Sequence, residues 1–178
     1  MNAIVDIQLD GIEQALERVG ALAERAAHMA PAFTIVAELL ELHVGQTFAT
    51  QGARIGKPWT ELARRTQIAR GLTGRRSGYY AQWSPTRGVT PTGPVLVWHG
   101  RLRGSFARGG VGHIRQVSDS GLIWGSGIRY ARFHRFTRPM LGFRDEFQRR
   151  EVLFQPLRLW LQGVPEGAIR ATMRTRLR

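Results

Sequence analysis

Residues 122–143, LIWGSGIRYARFHRFTRPMLGF, constrain the fold more than any other stretch of this chain. Leu122, Ile123 and Trp124 form a short apolar, β-prone run, and Gly125 and Gly127 then free the backbone to turn. Tyr130, Phe133 and His134 follow at helical spacing, so a short helix is expected to carry two rings and an imidazole on one face. Arg138-Pro139 should end that helix, because proline pushes its predecessor out of the α region.

The N-terminal third reads as helices. Residues 3–9 alternate as an edge strand would, and Asp10 with Glu13 three residues on makes a capping-box-like start. Ile12, Leu16, Val19, Leu22, Ala23 and Ala26 line one stripe, which predicts an amphipathic helix over residues 11–29. Pro31 suits the first turn of a second helix. In it Phe33, Val36, Leu40, Val44 and Phe48 form one face, and Ile35, Leu39 and Leu42 another. A helix apolar on two faces is expected to lie buried between partners, some of them in another subunit. Residues 51–58 form a glycine-punctuated loop anchored by Trp59, and Thr60 is placed to cap a helix over residues 61–70.

Further along, residues 112–118 and 121–124 predict a hairpin turning at Asp119-Ser120-Gly121. Asp145 should start a last helix with Phe147, Leu153 and Phe154 apolar, Arg149 and Arg150 exposed, and a break or kink at Pro156. The fold class expected is α+β, one domain over residues 1–162. Its N-terminal helices pack on a small antiparallel sheet, with a long extended loop and a C-terminal helix. Residues 163–178 are expected to be a mobile basic tail.

Charge narrows the partners. The chain carries +13 overall, yet residues 1–50 hold two arginines against seven acids, and residues 51–178 hold 24 basic against six acidic residues. An acidic front and a basic body imply either an acidic partner such as DNA or self-association of unlike surfaces. Residues 71–94 have no helical or strand periodicity, and a loop of that length is usually functional or disordered. Arg75, Arg76, Tyr79, Tyr80, Trp83 and Arg87 interleave cations with rings there, the combination that meets phosphates and stacks on bases. The same residues would equally suit an arm that packs on a neighbouring subunit, and the arm is the reading preferred.

No catalytic constellation emerges. The absence of cysteine excludes a disulfide framework, a thiol nucleophile and a Cys-bearing zinc site. None of the five histidines (His28, His43, His99, His113, His134) forms HExxH, and neither Ser105 nor Ser126 sits in a GxSxG elbow. No stretch approaches the roughly 18 apolar residues of a membrane span. The chain is therefore expected to be neither an enzyme nor a cofactor or metal binder, and to have no membrane partner.

One resemblance gives these segments a common meaning. An apolar strand ending in Gly125-Ser126, then Tyr130-Ala131, His134, Phe136 and Arg138-Pro139-Met140-Leu141-Gly142, resembles the pattern of phage virion-morphogenesis or tail-completion proteins, which join head to tail. Phe48, Trp59, Leu62 and Thr66 match that family's upstream element, and Gly100, Leu102, Ser105 and Phe106 its middle one. The likeness spans about residues 45–145, with His99 where threonine is frequent and only Thr137 where a variable loop often intervenes. What it implies is a structural virion protein of the neck, made in the host cytoplasm. It would form a homo-oligomeric ring, a hexamer first and a dodecamer second, against other neck, portal-side and tail-tube proteins, with double-stranded DNA in the lumen. The alternatives are an arginine-rich nucleic-acid-binding protein, or an assembly factor absent from the mature virion.

Overall fold

The computed structural model describes residues 10–60, 100–134 and 138–177. The expected strand over residues 3–9, the helix over residues 61–70 and the loop over residues 71–94 lie outside them. The architecture is α+β: N-terminal helices, a two-stranded antiparallel sheet and C-terminal helices.

Helix α1 spans Asp10–Ala27 and α2 spans Ala30–Ala49. Pro31 sits in the first turn of α2, where a missing N–H costs nothing. Both faces expected to be apolar on α2 are largely buried within this chain itself, Ile35, Leu39, Val44 and Phe48 among them, while Leu42 is exposed. A short 3-10 turn, Ala53–Ile55, follows between Gly52 and Gly56, and α3 is the single turn Arg101–Gly104. Strands β1, His113–Ser118, and β2, Gly121–Ser126, form the expected hairpin around Asp119 and Ser120. Gly125 and Ser126 belong to β2, so the hinge begins only at Gly127, whose N–H donates to the Gly112 carbonyl at 2.8 Å.

Three expectations are corrected downstream. The turn Arg129–His134 is 3-10 rather than α. Three residues per turn eclipse Tyr130 with Phe133 and carry His134 off that edge, and both rings are exposed while Ala131 packs on the core. The last helix is composite: α4, Glu146–Arg149, a π-helical turn Arg150–Phe154, and α5, Gln155–Leu161. Pro156 cannot donate to the carbonyl four residues back, and its ring crowds that carbonyl. A wider turn just before it relieves both problems. The added residue also shifts the buried face, so Val152 and Pro156 are inside whereas Phe147 and Phe154 are exposed. Finally, the residues expected to be a tail form α6, Glu166–Arg176. Ile169, Met173 and Leu177 recur every fourth position and are buried, which holds this helix down.

The chain divides into two compact units. The first comprises Met1–Leu39, Gln116–Leu122 and Arg150–Arg178; the second comprises Leu40–Arg115 and Ile123–Arg149. In the first, α1 packs on α5, and Trp160 Nε1–H donates to the Arg25 carbonyl at 3.2 Å. The face of α1 used for this carries Ala21 and Arg25, so its apolar stripe, expected to face a core, faces solvent instead. Arg170 of α6 reaches Glu38 (3.1 Å) and Glu166 (2.8 Å), and Arg176 reaches Glu151 (3.0 Å).

Candidate functional site

The residues of the spaced pattern converge inside the second unit. Val44 and Phe48, one helical turn apart on α2, meet Trp59, Leu102, Phe106 and Met140 in one buried cluster, with Trp124 and Ala131 against it. The Phe48 and Trp59 rings meet edge to face with centroids 5.2 Å apart, a favoured aromatic geometry. Gly52 makes this possible. Its φ of 81° turns the chain sharply, and a Cβ there would lie 2.5 Å from Trp59 Cδ1.

Hydrogen bonds then tie the distant pieces together. Trp59 Nε1–H donates to the Pro139 carbonyl at 3.2 Å, and the Arg138 guanidinium donates to the Thr60 carbonyl through Nε (3.3 Å) and Nη2 (3.1 Å). The Arg-Pro element is thus clasped to the loop that precedes residue 61. Gly142 seats against Ile55, where a Cβ would come to 2.7 Å of Cδ1, and its carbonyl accepts from His43 Nε2–H at 2.8 Å. His43 is buried and stacks on Phe143 with centroids 4.9 Å apart. Burial lowers its pKa; the Gly142 bond works against that, and Arg54 adds to the lowering. A neutral imidazole results, acting as a donor inside the core.

A second clasp joins the middle element to β2. Ser105 Oγ–H donates to the Leu102 carbonyl at 2.8 Å, and Ser126 Oγ lies 2.7 Å from Ser105 Oγ while accepting from Ile128 N–H at 3.2 Å. The donors therefore run in one direction, from Ile128 through Ser126 and Ser105 to Leu102. His113 and Glu41 lie close by, but the types of a hydrolytic triad are not connected as one. His113 Nδ1–H donates to the Ser105 carbonyl (3.2 Å), not its hydroxyl, and the Ser105 side chain is buried. Glu41 is held by Arg115 at 2.9 Å, with His113 Nε2 3.4 Å away. These groups fix β1 to α2, and a nucleophile would need the hydroxyl proton aimed at a base. Among the described residues no three His, Asp or Glu side chains come together as metal ligands, and no helix is long and apolar enough to cross a membrane.

Of the ten pattern residues expected from sequence, Trp59, Leu102, Ser105, Arg138 and Pro139 take part in this interlocked core. Gly100 caps α3 with φ 70°. Tyr130 and Leu141 are exposed, His134 is half-buried, and Phe136 lies outside the described residues. Arg75, Arg76, Tyr79, Tyr80, Trp83 and Arg87 also lie outside them. Sequence reasoning missed His43, whose signal was its place between the two apolar faces of α2. It also missed the Glu41–Arg115 pair, which only the fold reveals. Compared with known proteins, the chain matches no family model, no curated protein and no solved structure.

Proposed function

We propose that this chain is a structural protein of the phage neck, assembling into a ring that joins the portal side of the head to the tail and lets DNA pass. The observation that carries the reading is the convergence just described. Residues that resemble the tail-completion pattern, up to 80 positions apart in the chain, clasp one another through Trp59–Pro139 and Arg138–Thr60. Their polar groups are spent on the fold. Several apolar and aromatic side chains stand on the surface: Ile12, Leu16, Tyr130 and Phe133 are all exposed, with Arg132 lying 5.0 Å over the Phe133 ring. That is equipment for contact between proteins rather than for bond-making. Hexamer is the stoichiometry proposed, ahead of dodecamer, through a heterologous interface that closes on itself.

The test is the mass of the purified protein by light scattering at low and at high salt, followed by a DNA titration. A salt-resistant sixfold mass supports the ring. A monomer whose only interaction is salt-sensitive DNA binding sinks it and favours the nucleic-acid-binding reading. Finding the chain in purified virions separates a neck component from an assembly factor.

A further inference from the structure

Residues 100–144 carry nine arginines and one acid, Asp119. Asp119 belongs to the first unit, where it accepts the Ala30 N–H at 3.0 Å. In the second unit Arg115 is held by Glu41, Arg138 by the Thr60 carbonyl and Arg144 by Asp145. Arg101, Arg103, Arg108, Arg129 and Arg132 are exposed, and none of these five has an acid partner among the described residues. They come from two segments bonded side by side. Leu102 is the buried residue of α3, which leaves Arg101 and Arg103 on its outer flanks. Arg108 stands in the turn that follows, where the Gly110 N–H donates to the Ala107 carbonyl at 2.9 Å. The Gly112 carbonyl accepts from Gly127 N–H at 2.8 Å, and Ser105 Oγ meets Ser126 Oγ at 2.7 Å. The 3-10 turn bearing Arg129 and Arg132 therefore leaves from beside α3. Protein surfaces ordinarily intersperse both signs of charge, because like charges gathered together repel.

We propose that this face of the second unit, formed by α3, the turn after it and the 3-10 turn, binds the phosphate backbone of double-stranded DNA. The choice of occupant comes from the kind and the excess of charge. All five cations are guanidinium groups, whose planar fork matches a phosphate in two parallel hydrogen bonds. A duplex offers about one negative charge per 1.7 Å of its axis, so it can meet cations wherever they stand and needs no acid among them. An acidic protein surface, the α1 carboxylates of a second copy included, fits less well, because protein interfaces are depleted of charge at their centres. A single strand also fits less well. Its bases need open ring faces to stack on, and Arg132 already lies 5.0 Å over the Phe133 ring. The inference rests on the reading in which DNA passes through the ring, and it names the face that the duplex meets.

The test is titration of a short mixed-sequence duplex over a series of salt concentrations. Two variants probe the two segments: Arg101→Gln with Arg103→Gln, and Arg129→Gln with Arg132→Gln. Each should make the slope of log affinity against log salt shallower by about 1.8, and at about 0.1 M salt should weaken binding about 60-fold. These side chains are exposed, so the urea midpoint should stay that of the wild type. A wild type that binds no duplex, or a slope that ignores both pairs, overturns the inference. Light scattering keeps that failure apart from failure of the ring. A salt-resistant sixfold mass with an unchanged DNA slope overturns only the DNA face, and a monomer that loses duplex binding in both pairs overturns only the ring. Loss of the oligomer in these variants with an unchanged DNA slope gives the face to a second copy instead. Tighter binding of a single strand, lost in Tyr130→Leu with Phe133→Leu, overturns the duplex as occupant.

Discussion

Gly52 shows how one missing Cβ holds the pattern together. Its φ of 81° is left-handed, and a side chain would overlap both the Lys57 carbonyl and the Trp59 indole. Gly100 has a similar φ of 70° but open space around it. Gly100→Ala should therefore cost about 1 kcal/mol from backbone strain alone, and Gly52→Ala clearly more, by chemical denaturation. Equal losses would mean that the indole is not seated as described. His43 makes the second unit sensitive to acid. Burial lowers its pKa, so the unfolded chain binds the proton more readily than the folded one, between 6.5 and the depressed native value. Its contribution to stability is complete above the unfolded value and is lost as pH falls. The urea midpoint should drop from about pH 7.5 to about pH 5.5, and His43→Gln should flatten that slope. His134, lowered by burial and by Arg138, leaves a residue of slope with the same sign.

Helix α6 turns a basic terminus into part of a core. Ile169 and Met173 are fully buried, and Arg170 crosses to Glu38 and Glu166. Burial works against the Arg170 charge, but the two carboxylates outweigh it and raise its pKa. Met173→Ala should cost about 2–5 kcal/mol by denaturation, whereas the exposed Arg174→Ala should stay within about 0.5 kcal/mol. A tail would tolerate both equally. The π turn before Pro156 belongs to the same region. It lets the helix run on into α5 with Pro156 in the first turn, and it sends Val152 inward while Phe154 stays out.

For the molecule entire, the charge asymmetry read from sequence is only partly free to act on a partner. Arg115, Arg170 and Arg176 are engaged with Glu41, Glu38 and Glu151. Each phosphate neutralised adds about −0.9 to the slope of log affinity against log salt. Replacing Arg170 and Arg176 with glutamine should therefore leave the slope of any DNA binding unchanged. A slope shallower by about two would show that these arginines reach phosphate instead of their carboxylates.

Local patterns were legible wherever one short segment contains its own reason. The 3.6-residue periodicity gave α1 and α2, Pro31 marked a helix start, and Asp119-Ser120 marked the hairpin turn. The pattern residues Trp59, Leu102, Ser105 and Arg138-Pro139 could be picked out in sequence, but not the way they clasp. A hydrogen bond spanning 80 positions leaves no trace in local spacing. The same limit hid the docking of α6, since burial of Ile169 and Met173 depends on what lies opposite them. Periodicity shows that a helix has an apolar side; only tertiary packing decides which side it turns inward. In α1 the contact with α5 took the polar side, and the apolar stripe was left exposed.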